Sequence, residues 1–394
     1  MSVILFWFAV TLILYTYLGF PLLSWLRSYA CRRPHSSGDI TPTVSVLIAA
    51  HNEQDSIGDK IRNMLELDYP AAQMQIVVAS DGSTDRTADI ISEFDDPRLV
   101  ALNLPRGGKA AALNAGIDHC NGDILIFSDA NSIFGKGSLR ALVRPFADPT
   151  VGGVAGDQRY SKSSGANSAD AGERSYWNFD RQMKDWQSLA GNVTSATGAI
   201  YAIRRSLFRT VPEGVTDDFA TSTQVIVAGH RLVFARDAAA YEPVAASNGV
   251  EFGRKVRIIT RGLRGVLQQR SLLNPLRHGF YSIQLFSHKV LRRQMVFPLL
   301  LLLITSSILS GSSAFFLLAT VCQCCFYAAA LAGWILNGTK LGQKKPLSIP
   351  FFFCMVNLAC LIATFRSLTG KRVVLWEPQR AASTSQSLTA ATKA

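Results

Sequence analysis

Residues 3–26, VILFWFAVTLILYTYLGFPLLSWL, contain no charged side chain. A run of that length meets the roughly 20 apolar residues needed to cross a bilayer core. The chain is therefore expected to fold around a membrane. Three further apolar blocks, at residues 296–311, 313–336 and 348–365, approach the same length, the first interrupted by Thr305, Ser306 and Ser307. These blocks explain why 48% of 394 residues are hydrophobic and only 17% charged, an oily balance for a soluble enzyme.

The first block has no basic segment before it and no small-residue cleavage site ahead of Arg27, so residues 1–28 read as a retained anchor. Basic residues follow it (Arg27, Arg32, Arg33) and precede the second block (Lys289, Arg292, Arg293). The positive-inside bias then puts both ends of the intervening domain on the cytoplasmic face of the inner (plasma) membrane. Lys340, Lys344 and Lys345 fit a cytoplasmic loop. Four spans would export the tail, residues 369–394, whereas Arg366, Lys371, Arg372 and Arg380 argue for the opposite side. A re-entrant or interfacial block among residues 295–368 would reconcile the two. Residues 381–394 read as disordered. The net charge of +12 is then membrane-edge enrichment facing anionic lipid. No nucleic-acid partner is expected, because the cations are not gathered with aromatics on one module. Five of seven cysteines (Cys322, Cys324, Cys325, Cys354, Cys360) fall in the apolar blocks as packing residues, and Cys31 and Cys120 are expected reduced.

Between the blocks, strand-length apolar runs alternate with helical stretches. TVSVLIAA (43–50), MQIVVAS (74–80), RLVALNL (98–104) and DILIFSD (123–129) are separated by helical patterns at 57–65, 87–94 and 107–120. Such runs are buried on both faces of a mostly parallel sheet. Ligands of such sheets bind beyond the carboxyl ends of the strands. Those ends carry His51-Asn52-Glu53, Asp81-Gly82-Ser83 and Asp129-Ala130-Asn131, joined by Lys109 and Asn114 from a glycine-led helix. Helix capping explains any one of these, and Ser83-Thr84-Asp85 in particular, more easily than it explains the set.

VSVLIAAHNEQDSI, IVVASDGSTDRT, GGKAAALNAG and SDAN, in this order and spacing, resemble the nucleotide-diphosphate-sugar domain of glycosyltransferase family 2. AGNVTSATGAIYAIRRSLF, TDDF and RKVRIITRG resemble the acceptor half of its membrane-bound members, the group that includes cellulose and hyaluronan synthases. The resemblance implies an α/β fold of the GT-A type, Rossmann-like with a mostly parallel sheet, over residues 40–272. It would be a cytoplasmic domain flanked by transmembrane helices. An interfacial amphipathic helix is expected over 273–294, where PLRHGFYSIQLFSHKVLRRQ mixes basic and apolar residues.

Roles follow from the resemblance residue by residue. Asp81 would accept from the nucleobase and Glu53 would lie near the ribose or base. Lys109 and Arg257 would meet the diphosphate, with Asn114 also at the nucleotide-sugar. Asp129 and Asn131 would hold Mg²⁺ or Mn²⁺, a cation that neutralises the departing diphosphate through hard oxygen ligands. The family usually has a second aspartate where this chain has Asn131. Asp218 of Thr216-Asp217-Asp218-Phe219 takes the place of the general base, and Asp217 replaces the family's glutamate. Gly198, Ala199 and Asp217 would line the acceptor. Tyr176, Trp177 and Trp186 are candidates for a sugar-stacking face. In Arg254-Lys255-Val256-Arg257-Ile258, isoleucine stands where the family has a tryptophan that stacks on an acceptor sugar.

The expected activity is inverting transfer of a sugar from a nucleoside-diphosphate donor to a lipid-linked or glycan acceptor. Membrane lipids and polysaccharide-assembly proteins are the other candidate partners. A processive polysaccharide synthase that also translocates its product is the alternative within the class. A non-catalytic nucleotide-binding transport or scaffold protein is the alternative outside it.

Overall fold

The computed structural model describes residues 1–160, 168–242 and 248–369. Among the described residues, eight strands form one sheet: β1 Val44–Ala50, β2 Met74–Asp81, β3 Leu99–Leu104, β4 Ile124–Asp129, β5 Ile133–Phe134, β6 Val151–Tyr160, β7 Tyr201–Arg204 and β8 Arg231–Glu242. Their order is β3-β2-β1-β4-β7-β6-β8-β5.

The first four strands form as the apolar runs require. They are parallel, and β1 is buried at every position. Val46 and Ile48 face the helix Ile57–Leu65 through Ile57, Ile61 and Met64. Leu47 faces the opposite layer, the helix Lys109–Ile117. A Cβ on Gly116 would lie 2.4 Å from Leu47 Cδ1, so glycine permits that close packing. The second half of the sheet departs from the parallel expectation. β7 runs antiparallel to both β4 and β6, β5 is antiparallel to β8, and only β6 and β8 are parallel. The sheet is therefore mixed: β7 and the edge strand β5 run against the direction shared by the other strands.

The chain divides into two compact units. The sheet unit holds the described residues of Arg27–Ser163 and Arg181–Ala246; the other holds Met1–Leu26 and the described residues of Ser164–Asp180 and Ser247–Lys371. The helix Asn248–Gln268 groups with the apolar helices because Val256, Ile259 and Leu263 pack on Ala359, Cys360 and Ala363 of Lys345–Leu368.

Among the described residues, three helices are long and apolar enough to cross a membrane: Ser2–Ala30, Ala314–Ile335 and Lys345–Leu368. The remaining block, Val296–Leu309, is 14 residues long and so spans about 21 Å, short of a ~30 Å hydrocarbon core. It reaches spanning length only with Phe280–Gln294, from which it is bent by 53°. The single interfacial helix expected over 273–294 is also broken. Gly279 at φ 55° separates Pro275–His278 from Phe280–Leu285, and π and 3-10 segments follow at Phe286–Val290 and Leu291–Gln294. The expectations for the tail concern residues that lie, beyond Thr369, outside those described.

Candidate active site

Parallel register carries β1, β2 and β4 to one edge: Ala49 is level with Ala79 and with Asp129. The residues after β1 are fixed by the turn after β2. His51 Nδ1 lies 2.8 Å from the Asp81 carbonyl oxygen. Asn52, at φ 52°, accepts from the Thr84 amide at 2.8 Å, using the left-handed conformation that asparagine tolerates. Glu53 is buried; its amide donates to Thr87 Oγ1 at 2.7 Å, and its carboxylate accepts from Ser56 Oγ at 2.7 Å.

The Asp81 carboxylate holds the loop that opens the next helix. It accepts from Arg106 and from the amides of Gly107 at 2.6 Å and Gly108 at 2.9 Å. Two glycines make this possible. A Cβ on Gly82, at φ 55°, would lie 2.6 Å from the Arg106 nitrogen, and Gly108 caps the helix Lys109–Ile117 at φ 89°. Asn114 also has a bracing contact. Its carboxamide donates to the Val211 carbonyl at 3.0 Å and accepts from the Val211 amide at 2.8 Å. Those bonds account for the residue without a ligand.

Lys109, one residue past the cap, reaches two carboxylates at once: Asp129 Oδ1 at 2.6 Å and Asp217 Oδ2 at 3.0 Å. Burial alone would lower its pKa, but Asp129 and then Asp217 raise it above the ordinary lysine range, so the ammonium stays charged. Asp217 opens the helix Asp217–Val227, whose N-terminal dipole favours acidic groups. Asp218, next along, accepts from the Phe219 amide at 2.8 Å. On the other side of Asp129, a Cβ on Gly198 would lie 2.8 Å from Oδ2, so only glycine leaves that oxygen in place. Ala199 is core, its carbonyl accepting from Ser128 Oγ at 2.9 Å.

These oxygens suit a small divalent cation. Lys109 occupies Asp129 Oδ1, but the second carboxylate oxygen is kept clear by Gly198, and no hydrogen bond among the described residues engages the Asn131 carboxamide. One carboxylate and one amide leave the remaining ligand positions to phosphate and water.

Arg257 lies on the helix Asn248–Gln268 in the other unit, where burial and its neighbours Arg261 and Arg254 lower its pKa. Ile258 beside it is exposed. Trp186 is half-buried on Ser168–Leu189; the side chains of Tyr176 and Trp177 lie outside those described.

Two polar residues near this edge escaped the sequence reading. Lys60 is fully buried, and burial pushes its pKa down to about 7 against the pull of Asp129 and Glu242. Its signal was present, since it occupies the same helical stripe as Ile57, Ile61 and Met64. Tyr201 stacks on Phe127 at 4.7 Å, and burial followed by Asp217 and Asp218 holds its hydroxyl protonated.

The mixed α/β sheet thus brings acidic groups and a lysine together at one edge. Residues 45–211 match the family model described as Glycosyl transferase family 2. Over 282 residues it is 27% identical to "Probable glycosyltransferase YdaM" of Bacillus subtilis (strain 168), covering 65% of this chain and 66% of the relative. Over 223 residues it is 31% identical to "Poly-beta-1,6-N-acetyl-D-glucosamine synthase" of Staphylococcus aureus (strain MSSA476), covering 54% and 51%. The chain thus spans between half and two thirds of the length of these curated relatives. Among solved structures, the "Mannosyltransferase PcManGT from Pyrobaculum calidifontis in complex with GDP-Man and Mn2+" is similar with a TM-score of 0.71 at 22% identity, over 93% of this chain and 100% of that one. That likeness establishes the fold.

Proposed function

We propose that this chain is a membrane-bound inverting glycosyltransferase. It moves a sugar from a nucleoside-diphosphate donor to a lipid-linked or glycan acceptor at the cytoplasmic face. The observation that carries the reading is the Lys109 ammonium lying between Asp129, at the end of β4, and Asp217, at the head of the helix Asp217–Val227. One cation thus lies between an acid assigned to the donor side and an acid assigned to the acceptor side. Lys109 meets the diphosphate, Asp218 takes the proton of the acceptor hydroxyl, and Gly198 keeps room beside Asp129. Asp129 and Asn131 would hold Mg²⁺ or Mn²⁺, which when bound offsets the charge of the leaving diphosphate. The manganese of the structural relative named above supports that assignment. Glu53 and Asp81 are assigned to the nucleoside end.

A processive reading has one observation in its favour, the likeness to polysaccharide synthases. Against it, Ile258 replaces the aromatic platform that would grip a growing chain. We therefore assign transfer of one or a few sugars, with polysaccharide-assembly proteins as candidate partners.

The test begins with the detergent-solubilised full chain and a panel of nucleotide-sugars. A matching donor should raise the unfolding midpoint, since ligand at 100 times its Kd adds ~2.7 kcal/mol. Membranes containing only this protein, given that donor in labelled form, should yield a small, EDTA-sensitive product. Polymer of high molecular weight would establish the processive reading, and donor binding with neither hydrolysis nor transfer would establish the scaffold one.

A further inference from the structure

Lys60 sets an amino group in a fully buried place where an apolar residue would pack. Its Nζ donates to Ser128 Oγ at 2.7 Å and to the Ser132 carbonyl at 2.6 Å, and it lies 4.1 Å from the centroid of the Phe134 ring. Ser128 and Ser132 bracket Asp129 and Asn131. Each serine is also tied to another part of the sheet. Ser128 Oγ donates to the carbonyl of Ala199, next to Gly198, at 2.9 Å. Ser132 Oγ donates to Glu242 Oε1, at the end of β8, at 2.6 Å, while Gln158 Nε2 of β6 donates to Glu242 Oε2 at 2.6 Å. Lys60, Ser128, Ser132 and Glu242 are all buried.

We propose that Lys60, acting with Glu242, is a positioning residue that fixes residues 128–132 so that Asp129 and Asn131 present their oxygens to one cation. The inference rests on the reading above that these two residues face a metal. A single ammonium clamps both ends of a five-residue segment, and Glu242 clamps the second end again from the far side. Methionine would fill the same volume but would leave the Ser128 hydroxyl and the Ser132 carbonyl without this donor. It would also leave a buried carboxylate without its neighbouring cation. Residues that orient metal ligands in this way typically change metal affinity about 10–100-fold when removed.

The experiment uses the full chain in detergent, comparing wild type with Lys60→Met and with Lys60→Met/Glu242→Gln, which removes both buried charges and protects against simple misfolding. Hydrogen exchange is followed on peptides covering residues 124–134 and, as reference, 74–81. Mn²⁺ binding is followed by electron paramagnetic resonance with GDP or UDP added as probes. The expected result is exchange within residues 128–132 faster by about tenfold, with the reference peptide unchanged, and Mn²⁺ affinity lower by about 10–100-fold. Unchanged exchange and unchanged Mn²⁺ affinity in both variants would overturn the proposal. So would a uniform rise in exchange across both peptides in both variants, which marks a role in global stability alone. If wild type bound no Mn²⁺ with either diphosphate, the metal reading would fall and the cation half of this proposal with it; the exchange measurement would still decide whether Lys60 fixes the segment.

Discussion

Lys109 and Asp129, from the helix after β3 and the end of β4, meet at 2.6 Å, so a protein cation lies against the oxygen proposed to hold a metal. Removing the lysine should therefore have effects of opposite sign. Lys109→Met should weaken donor binding and cut transfer by about 10²–10³-fold, the scale of a lost charge-stabilising group. Without donor, the same variant should bind Mn²⁺ more tightly than wild type, because Asp129 is released. Initial rates and a manganese titration read the two effects, and a fall in both affinities would separate Lys109 from the metal.

Asp129→Ala should abolish turnover, whereas Asn131→Asp should retain it and tighten Mn²⁺ binding by supplying the second carboxylate. Activity against Mn²⁺ concentration makes the comparison. Full activity in the alanine variant, with wild type insensitive to EDTA, would remove the metal role.

Asp217 and Asp218 are neighbours with different partners, Lys109 for the first and the Phe219 amide for the second. Asp218→Asn should leave donor affinity within a few-fold and slow transfer by ~10²–10⁴, as loss of a general base does. Asp217→Asn should instead disturb donor affinity through Lys109. Donor Kd from thermal protection, set beside kcat, distinguishes them; the reverse pattern would move the base to Asp217.

The depressed pKa of Lys60 carries a pH signature. The unfolded lysine titrates near 10.5 and the folded one near 7, so between these values the unfolded state binds more protons. Stability should rise with pH across that window, and the full cost of the buried charge should be present below pH 7. Lys60→Met should lack the slope. Unfolding free energies from urea titrations, wild type minus variant, should rise by roughly 1 kcal/mol per pH unit between pH 7 and 10, and parallel profiles would rule the titration out.

The strand ends carrying Glu53, Asp81 and Asp129 were legible because β1, β2 and β4 are unbroken apolar runs whose parallel direction follows from the helices between them. β7 was not legible as a reversing strand, since four residues, Tyr201–Arg204, give too short a pattern to show direction. The break at Gly279 was hidden because a mixed basic and apolar composition reads the same whether continuous or kinked. Asn114 illustrates another limit: its bonds to Val211 cross 97 residues, and no local pattern encodes that. Lys60 was visible on an apolar stripe, but only the serines around it explain why a lysine belongs there.

The Asp81 carboxylate grips the Gly107 and Gly108 amides, and Gly108 is the cap from which Lys109 projects. Under the proposed roles, the residue that reads the nucleoside is mechanically wired to the residue that meets the diphosphate. Donor preference and turnover are then not independent traits in this scaffold. A lineage selecting for a different base by altering Asp81 would slacken Lys109 in the same step, and its next beneficial changes should appear in residues 105–108 before any appear in the base pocket.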